Sequence, residues 1–189
     1  MAAKSSLKNM LLCLTGVCLA CSALLAFTYA LTCEPVAAAQ QAKTNASIAR
    51  VLPEFTGAPE LKTVDVDGQT FSYYDAGGSG YAVIVTVSGF GGPLSMMVGI
   101  REDGCIHNTV VLSHNETPGL GAKCQTDTKF IDQFKGLDPS VKHLAVRKDG
   151  GDIDAITAST ITSRAYTFAV ATAAGVYTAI KAQGGQENE

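Results

Sequence analysis

The chain has no tryptophan, and aromatic residues fill only 7% of its 189 positions. A base-stacking platform for nucleic acid is therefore not expected. A basic stripe is missing too: the formal net charge is −3, which leaves no electrostatic footprint for a phosphate backbone. No Gly-x-Gly-x-x-Gly is present, so the dinucleotide fingerprint is absent. The part of the chain after Cys33 has no Cys-x-x-Cys and no His-x(3–5)-His, so a zinc reading of Cys105, His107, His114 and Cys124 fails on spacing. That part holds only two cysteines, Cys105 and Cys124. In an oxidising compartment they can pair or stay free, and spacing does not decide between the two.

Charge is absent where it matters most. Residues 1–33 carry no acid and only two bases, Lys4 and Lys8, while residues 34–189 carry 12 bases against 17 acids, a net of −5. Asn9 to Cys33 is a run of 25 uncharged residues, and a bilayer's hydrocarbon core takes about 20 apolar residues as helix. Lys4 and Lys8 before the run, with Glu34 after it, orient the N-terminus to the cytoplasm and the remainder outside. A cleaved leader is the alternative, with Thr28-Tyr29-Ala30 as its cleavage signal. The apolar stretch Met10–Phe27 is longer than the roughly 7–15 residues of a leader's apolar region, which favours a retained anchor. Cys13, Cys18, Cys21 and Cys33 serve there as small apolar residues. The span holds no Asp, Glu, Lys, Arg or His, which makes it a poor candidate for an ion path.

Three segments follow from these patterns: a cytoplasmic stub and membrane helix over 1–33, a helical linker over 34–53, and a folded domain over 54–189. The linker is rich in alanine and glutamine and is stopped by Pro53. Within the domain, Val64–Val66 and Gln69–Tyr74 flank Asp67-Gly68, a hairpin signal. Tyr81–Val87 alternates, with Tyr81, Val83, Val85 and Val87 on one face, and Leu94–Ile100 alternates likewise through Leu94, Met96, Val98 and Ile100. Ile106–Ser113 follows the Asp103-Gly104 turn. Residues 126–136 are expected to hold a short helix carrying Phe130, Ile131 and Phe134, and Val141–Val146 and Ile153–Ile156 are candidate strands. Ala165, Phe168, Ala169, Ala173, Val176, Tyr177 and Ile180 recur at three and four, which predicts a helix over 163–181. Strands with one long helix across them give an α+β class, built as an antiparallel sheet behind a single N-terminal membrane helix and ahead of a long C-terminal helix.

The segment that bears chemistry is Asp154-Ala155-Ile156-Thr157-Ala158-Ser159-Thr160-Ile161-Thr162-Ser163-Arg164, with five hydroxyl side chains among small ones, leaving a strand for a helix. Thr162 or Ser163 can serve as an ordinary N-cap. The other reading is a phosphate seat, because a helix start offers free N–H donors and a positive dipole end. Residues 154–160 resemble the flavinylation motif of the FMN-binding-domain family: Asp, Gly or Ala, any residue, Ser or Thr, Gly, Ala, Thr. Ser113-His114-Asn115-Glu116-Thr117-Pro118-Gly119-Leu120-Gly121 resembles the family's Glu-Thr-Pro-Gly-Leu-Gly loop, and Gly89-Phe90-Gly91-Gly92-Pro93-Leu94 its glycine-aromatic entry. Taken singly, Pro118-Gly119 is also a plain turn pair and the glycine block a plain loop.

The resemblance covers nearly the whole chain and is nearest to G subunits of Rnf-type complexes. It implies FMN joined through its phosphate to Thr160 by a flavin transferase, with Thr157, Ala158, Ser159, Ile161 and Thr162 around the phosphate. Glu116, Thr117, Gly119 and Leu120 then lie beside the flavin. Asp154 is expected to orient the acceptor, hold the transferase's metal, or merely cap the strand. The chain would be one electron relay in a membrane-bound ion-translocating ferredoxin:NAD oxidoreductase, working with the other membrane and soluble subunits. It has no complete activity alone and no ferredoxin or NAD site of its own. Two alternatives stand beside it: the C subunit of a sodium-translocating NADH:quinone oxidoreductase, and a non-redox extracytoplasmic scaffold. The departure from the motif is Ala158-Ser159 where the family has Gly-Ala. It strains the backbone if that position needs a positive φ, and Ser159 adds a second candidate hydroxyl.

Overall fold

The computed structural model describes residues 7–53, 59–66 and 68–184. Helix α1 runs unbroken over Leu7–Val51, with Pro35 inside it. It is long and apolar enough to cross a membrane by length and composition. Thr28 and Thr32 direct their hydroxyls back to main-chain oxygens of the preceding turn, Thr32 Oγ1 to Thr28 O at 2.8 Å, so they add no unsatisfied donor to the apolar surface. By internal contacts the chain divides into Met1–Thr44 and Asn45–Glu189.

In the second unit five strands form an antiparallel meander in the order β1-β2-β3-β4-β5: β1 Glu60–Val66, β2 Gln69–Asp75, β3 Tyr81–Ser88, β4 Pro93–Ile100 and β5 Ile106–His114. Val66 pairs with Gln69 across the first hairpin. Gly68 takes φ +78° there, while its partner in the turn signal, Asp67, lies outside the described residues. Two short helices, α2 Lys123–Thr126 and α3 Thr128–Ile131, and a 3₁₀ turn at Asp132–Phe134 follow β5. The long helix α4 spans Thr160–Gly184.

Alternation sorts the strand side chains as the sequence predicts. Val83, Val85, Leu94, Met96, Val98 and Ile100 enter one core with Ala165, Tyr166, Ala169, Val170, Ala173 and Val176 of α4. Phe130 and Phe134 pack edge-on and tilted against Tyr166, with centroids 5.0 Å apart in both pairs. The buried Tyr166 hydroxyl meets Thr109 Oγ1 at 2.7 Å, so the ring's polar end is satisfied. The opposite sheet face carries Ala82 and Met97, covered by Ile48, Val51 and Leu52 at the end of α1. Gly99 permits this approach: a Cβ there would lie 1.8 Å from the Val51 carbonyl oxygen. Asn108 donates from Nδ2 to Arg50 O at 2.8 Å, supplying a partner to a carbonyl at the helix end.

Three expectations change. Val141–Val146 and Ile153–Ile156 are not strands. They are irregular segments joined by a single parallel bridge, Val146 to Ile153. The 3₁₀ turn Arg147–Asp149 between them, closed by Gly150 at φ +83°, is too tight to let two extended runs pair. Phe168 is 63% exposed and leaves the predicted stripe, whereas Tyr166 and Val170 enter it. The helix begins at Thr160 rather than Ser163, which removes Thr162 and Ser163 from the cap position.

Candidate functional site

The front of α4 is built from its own hydroxyls. Ser163 Oγ accepts from the Ile156 amide at 2.9 Å and donates to Ser159 O at 2.9 Å. It therefore ties the loop before the helix to the helix's first turn. Ser163 N–H donates to Ser159 O at 3.0 Å and opens the helical ladder. The amides of Thr160, Ile161 and Thr162 make no hydrogen bond among the described residues. Three free donors at the start of a 25-residue helix are an anion seat in chemistry and in field. Ala158 enters this turn at φ +63°, the one non-glycine residue with positive φ among those described. A left-handed alanine costs about 1–2 kcal/mol.

Glu116 fastens the parts around that seat. It is 5% exposed. Oε1 accepts from the Phe90 amide at 2.8 Å, and Oε2 accepts from Thr162 Oγ1 at 2.9 Å. One carboxylate thus joins the glycine-rich loop after β3, the loop after β5 and the first turn of α4. Two glycines make room for it: a Cβ on Gly89 would lie 2.1 Å from Oε1, and one on Gly121 2.4 Å from Oε2. Behind it, burial and then the Glu116 charge push the Cys124 thiol up to about 11. Cys124 and Cys105 are both free thiols.

Phe90, Glu116, Thr117, Leu120, Gly121, Ala158, Ser159, Thr160, Ile161 and Thr162 line one cavity of 370 Å³, within the range of small-molecule sites. Of the predicted residues, Gly119 and Thr157 lie outside this lining, both exposed. Gly119 shapes the turn at φ +76°. The lining adds Phe90, which is 67% exposed, and Gly121. Both stand in the motif segments of the sequence without an assigned role. Ser159 is 7% exposed, whereas Thr160 is half-buried. An open groove of 1220 Å³ between α4 and β1–β3 begins on the far side of Ile161, and Thr160 does not line it.

The turn Arg147–Asp149 presents three consecutive side chains to residues 154–164. Arg147 Nε meets Asp154 Oδ1 at 2.9 Å. Lys148 Nζ donates to Thr160 Oγ1 at 3.2 Å. Asp149 accepts from Arg164 in a two-pronged contact, 2.6 Å on each side. That pairing holds the Asp149 carboxyl below its ordinary value. Sequence reading missed this turn because Lys148 stands 12 residues before Thr160, and nothing in an Arg-Lys-Asp triplet says where it will fold. Asp154 meets Arg147 and, through its main chain, Gln133. Among the described residues no group of acidic, histidine or cysteine side chains is placed to hold a metal ion.

A sheet-and-helix domain whose unpartnered helix-start amides open on a small lined cavity has room and donors for a phosphate-bearing small molecule. The FMN-binding domain family matches residues 89–175, from the glycine loop to the middle of α4. The chain is 34% identical over 191 aligned residues to the G subunit of the ion-translocating oxidoreductase complex of Aliivibrio fischeri, covering 92% of this chain and 91% of that protein. It is 35% identical over 160 residues to the G subunit of the proton-translocating ferredoxin:NAD(+) oxidoreductase complex of Clostridium ljungdahlii, covering 82% of each. Among solved structures, the C subunit of the Na(+)-translocating NADH-quinone reductase of Parabacteroides distasonis aligns at 19% identity and TM-score 0.47, covering 69% of this chain and 78% of that one. The chain belongs to the family of ion-translocating oxidoreductase complex G subunits, electron-transport proteins with an FMN-binding domain.

Proposed function

We propose that this chain carries FMN joined through its phosphate to Thr160 and relays electrons within an Rnf-type ion-translocating ferredoxin:NAD oxidoreductase complex. The observation that carries the reading is the position of Thr160. Its hydroxyl sits at the first residue of α4, beside three unpartnered amides, on the wall of the 370 Å³ cavity. The bound group supplies one-electron redox chemistry, for which no side chain of the protein substitutes. The residues present suit it. The helix start offsets the single negative charge of a phosphodiester, Phe90 and Leu120 offer apolar walls, and Glu116 and Thr117 offer polar edges. Thr160 is favoured over Ser159 as the acceptor because Ser159 is 7% exposed as a residue whereas Thr160 is half-buried.

In this reading α1 anchors the chain in the membrane, with the N-terminus in the cytoplasm and the domain outside. Covalent attachment suits that side, where a lost cofactor is not readily replaced. Maturation requires a flavin transferase. Co-expression with such a transferase, followed by a denaturing gel viewed under ultraviolet light, tests the assignment. A fluorescent band is expected for the wild type and for Ser159→Ala, and none for Thr160→Ala. A colourless wild type at its unmodified peptide mass overturns it, and favours a scaffold of the same fold. Labelling Cys105 with an impermeant thiol reagent in spheroplasts tests the outside placement. Protection until lysis would contradict it.

A further inference from the structure

We infer that Lys148 is the positioning cation of the acceptor site: its ammonium group holds Thr160 Oγ1 for phosphoryl attack and afterwards stays on the attached phosphodiester as its counter-charge. The inference rests on the reading of Thr160 as the acceptor. Its support is geometric and separate from that reading. The turn Arg147–Asp149 grips the acceptor segment at three places, before the hydroxyl at Asp154, on the hydroxyl at Thr160, and one helical turn later at Arg164. Both flanking contacts are completed ion pairs. Lys148 has no carboxylate within ion-pair distance among the described residues. Its contact at 3.2 Å is to a neutral oxygen. A cation held between two paired neighbours and aimed at a hydroxyl is placed for a charge that arrives later.

Gly151 keeps the turn in place, since a Cβ there would lie 2.0 Å from the Ala145 carbonyl oxygen. Val146 and Ile153 bury its two ends, at 1% and 2% exposure. The backbone that carries Lys148 is therefore held at both ends, and the exposed lysine stem reaches Thr160 from that support. The chemistry is balanced as follows. The bond from Thr160 Oγ1 to the flavin-side phosphorus of FAD forms. The bond from that phosphorus to the oxygen bridging to adenylate breaks. AMP leaves, and the hydroxyl proton is released. Lys148 takes no proton in this scheme. It stabilises negative charge on Oγ1 and on the phosphorus oxygens while that charge develops, and the product keeps one negative charge beside it.

The test uses the full chain in detergent with a purified flavin transferase, Mg²⁺ and FAD, followed by intact mass against time. Lys148→Gln is expected to slow modification about tenfold, the scale of one charge-assisted hydrogen bond, with Thr160 still the modified residue. Lys148→Arg is expected to restore most of the rate, and Lys129→Gln on α3 to leave it unchanged. A second readout does not depend on turnover. The ³¹P resonance of the attached phosphodiester should move in Lys148→Gln relative to wild type and Lys148→Arg. An unchanged rate with an unmoved resonance in Lys148→Gln overturns the inference, as does a slow rate that Lys148→Arg fails to restore. Failure of the wild type to be modified at all marks instead the loss of the acceptor reading itself.

Discussion

Ala158 is the first of the two residues, with Ser159, at which this chain departs from the motif it resembles, and the structure gives that departure a backbone cost. The turn into α4 needs a left-handed residue, and alanine occupies it at φ +63°. Glycine there would relieve about 1–2 kcal/mol of strain and return part of it through a freer unfolded chain. Ala158→Gly is therefore expected to stabilise the protein by about 0.5–1 kcal/mol in urea denaturation, and to quicken flavin attachment. A loss of stability would show that the turn is held by something other than this backbone angle. Cys124 makes a second residue-scale prediction. Its folded thiol titrates at about 11 against an ordinary value of 9.0. The folded state thus binds the proton more tightly than the unfolded state. The contribution is fully present below pH 9 and is lost as pH rises towards 11. Stability measured from about pH 8 to 11 should fall more steeply for wild type than for Cys124→Ala, and parallel slopes would contradict the burial of the thiol.

At the scale of elements, Glu116 is the joint between two loops and a helix. Glu116→Ala leaves the Phe90 amide and the Thr162 hydroxyl without their acceptor and is expected to cost about 2–3 kcal/mol. Glu116→Gln is expected to cost less, because the Thr162 hydroxyl can turn to accept from the new amide while the remaining oxygen keeps Phe90. Equal losses by calorimetry would mean that charge, not hydrogen bonding, is what the site uses. The contact of α1 with the sheet makes a steric prediction. Gly99→Ala places a methyl 1.8 Å from the Val51 carbonyl oxygen, against backbone that cannot swing aside. It should lower stability by about 2 kcal/mol or more, as overpacking does. These elements were unequally legible. The alternation of Val83, Val85, Met96 and Val98 predicted β3 and β4 because a strand's period is two whatever packs on it. The run Val141–Val146 has β-branched residues but no partner strand, and the tight Arg147–Asp149 turn took it out of the sheet.

At the scale of the whole molecule, the linker predicted over 34–53 carries a piece of the core. Ile48, Val51 and Leu52 are buried on the sheet face that bears Ala82 and Met97. At about 1.5–3 kcal/mol each, their burial is comparable to the entire net stability of a typical domain. A chain beginning at Asn45 should fold and stay soluble without α1's apolar run. One beginning at residue 54 should aggregate or lose most of its cooperative unfolding, and equal behaviour of the two would show that the helix end is dispensable. The sequence by itself determined what depends on order and period along the chain: the uncharged N-terminal run, the alternating strands, the long C-terminal helix and the hydroxyl-rich segment that leads into it. Only the tertiary structure decided what depends on distant segments meeting. It placed the two pairing arms of Glu116, brought Lys148 to the Thr160 hydroxyl, and turned the end of α1 into a wall of the core. Local patterns are written in neighbouring residues, whereas a contact across tens of residues exists only once the sheet and α4 have closed around it.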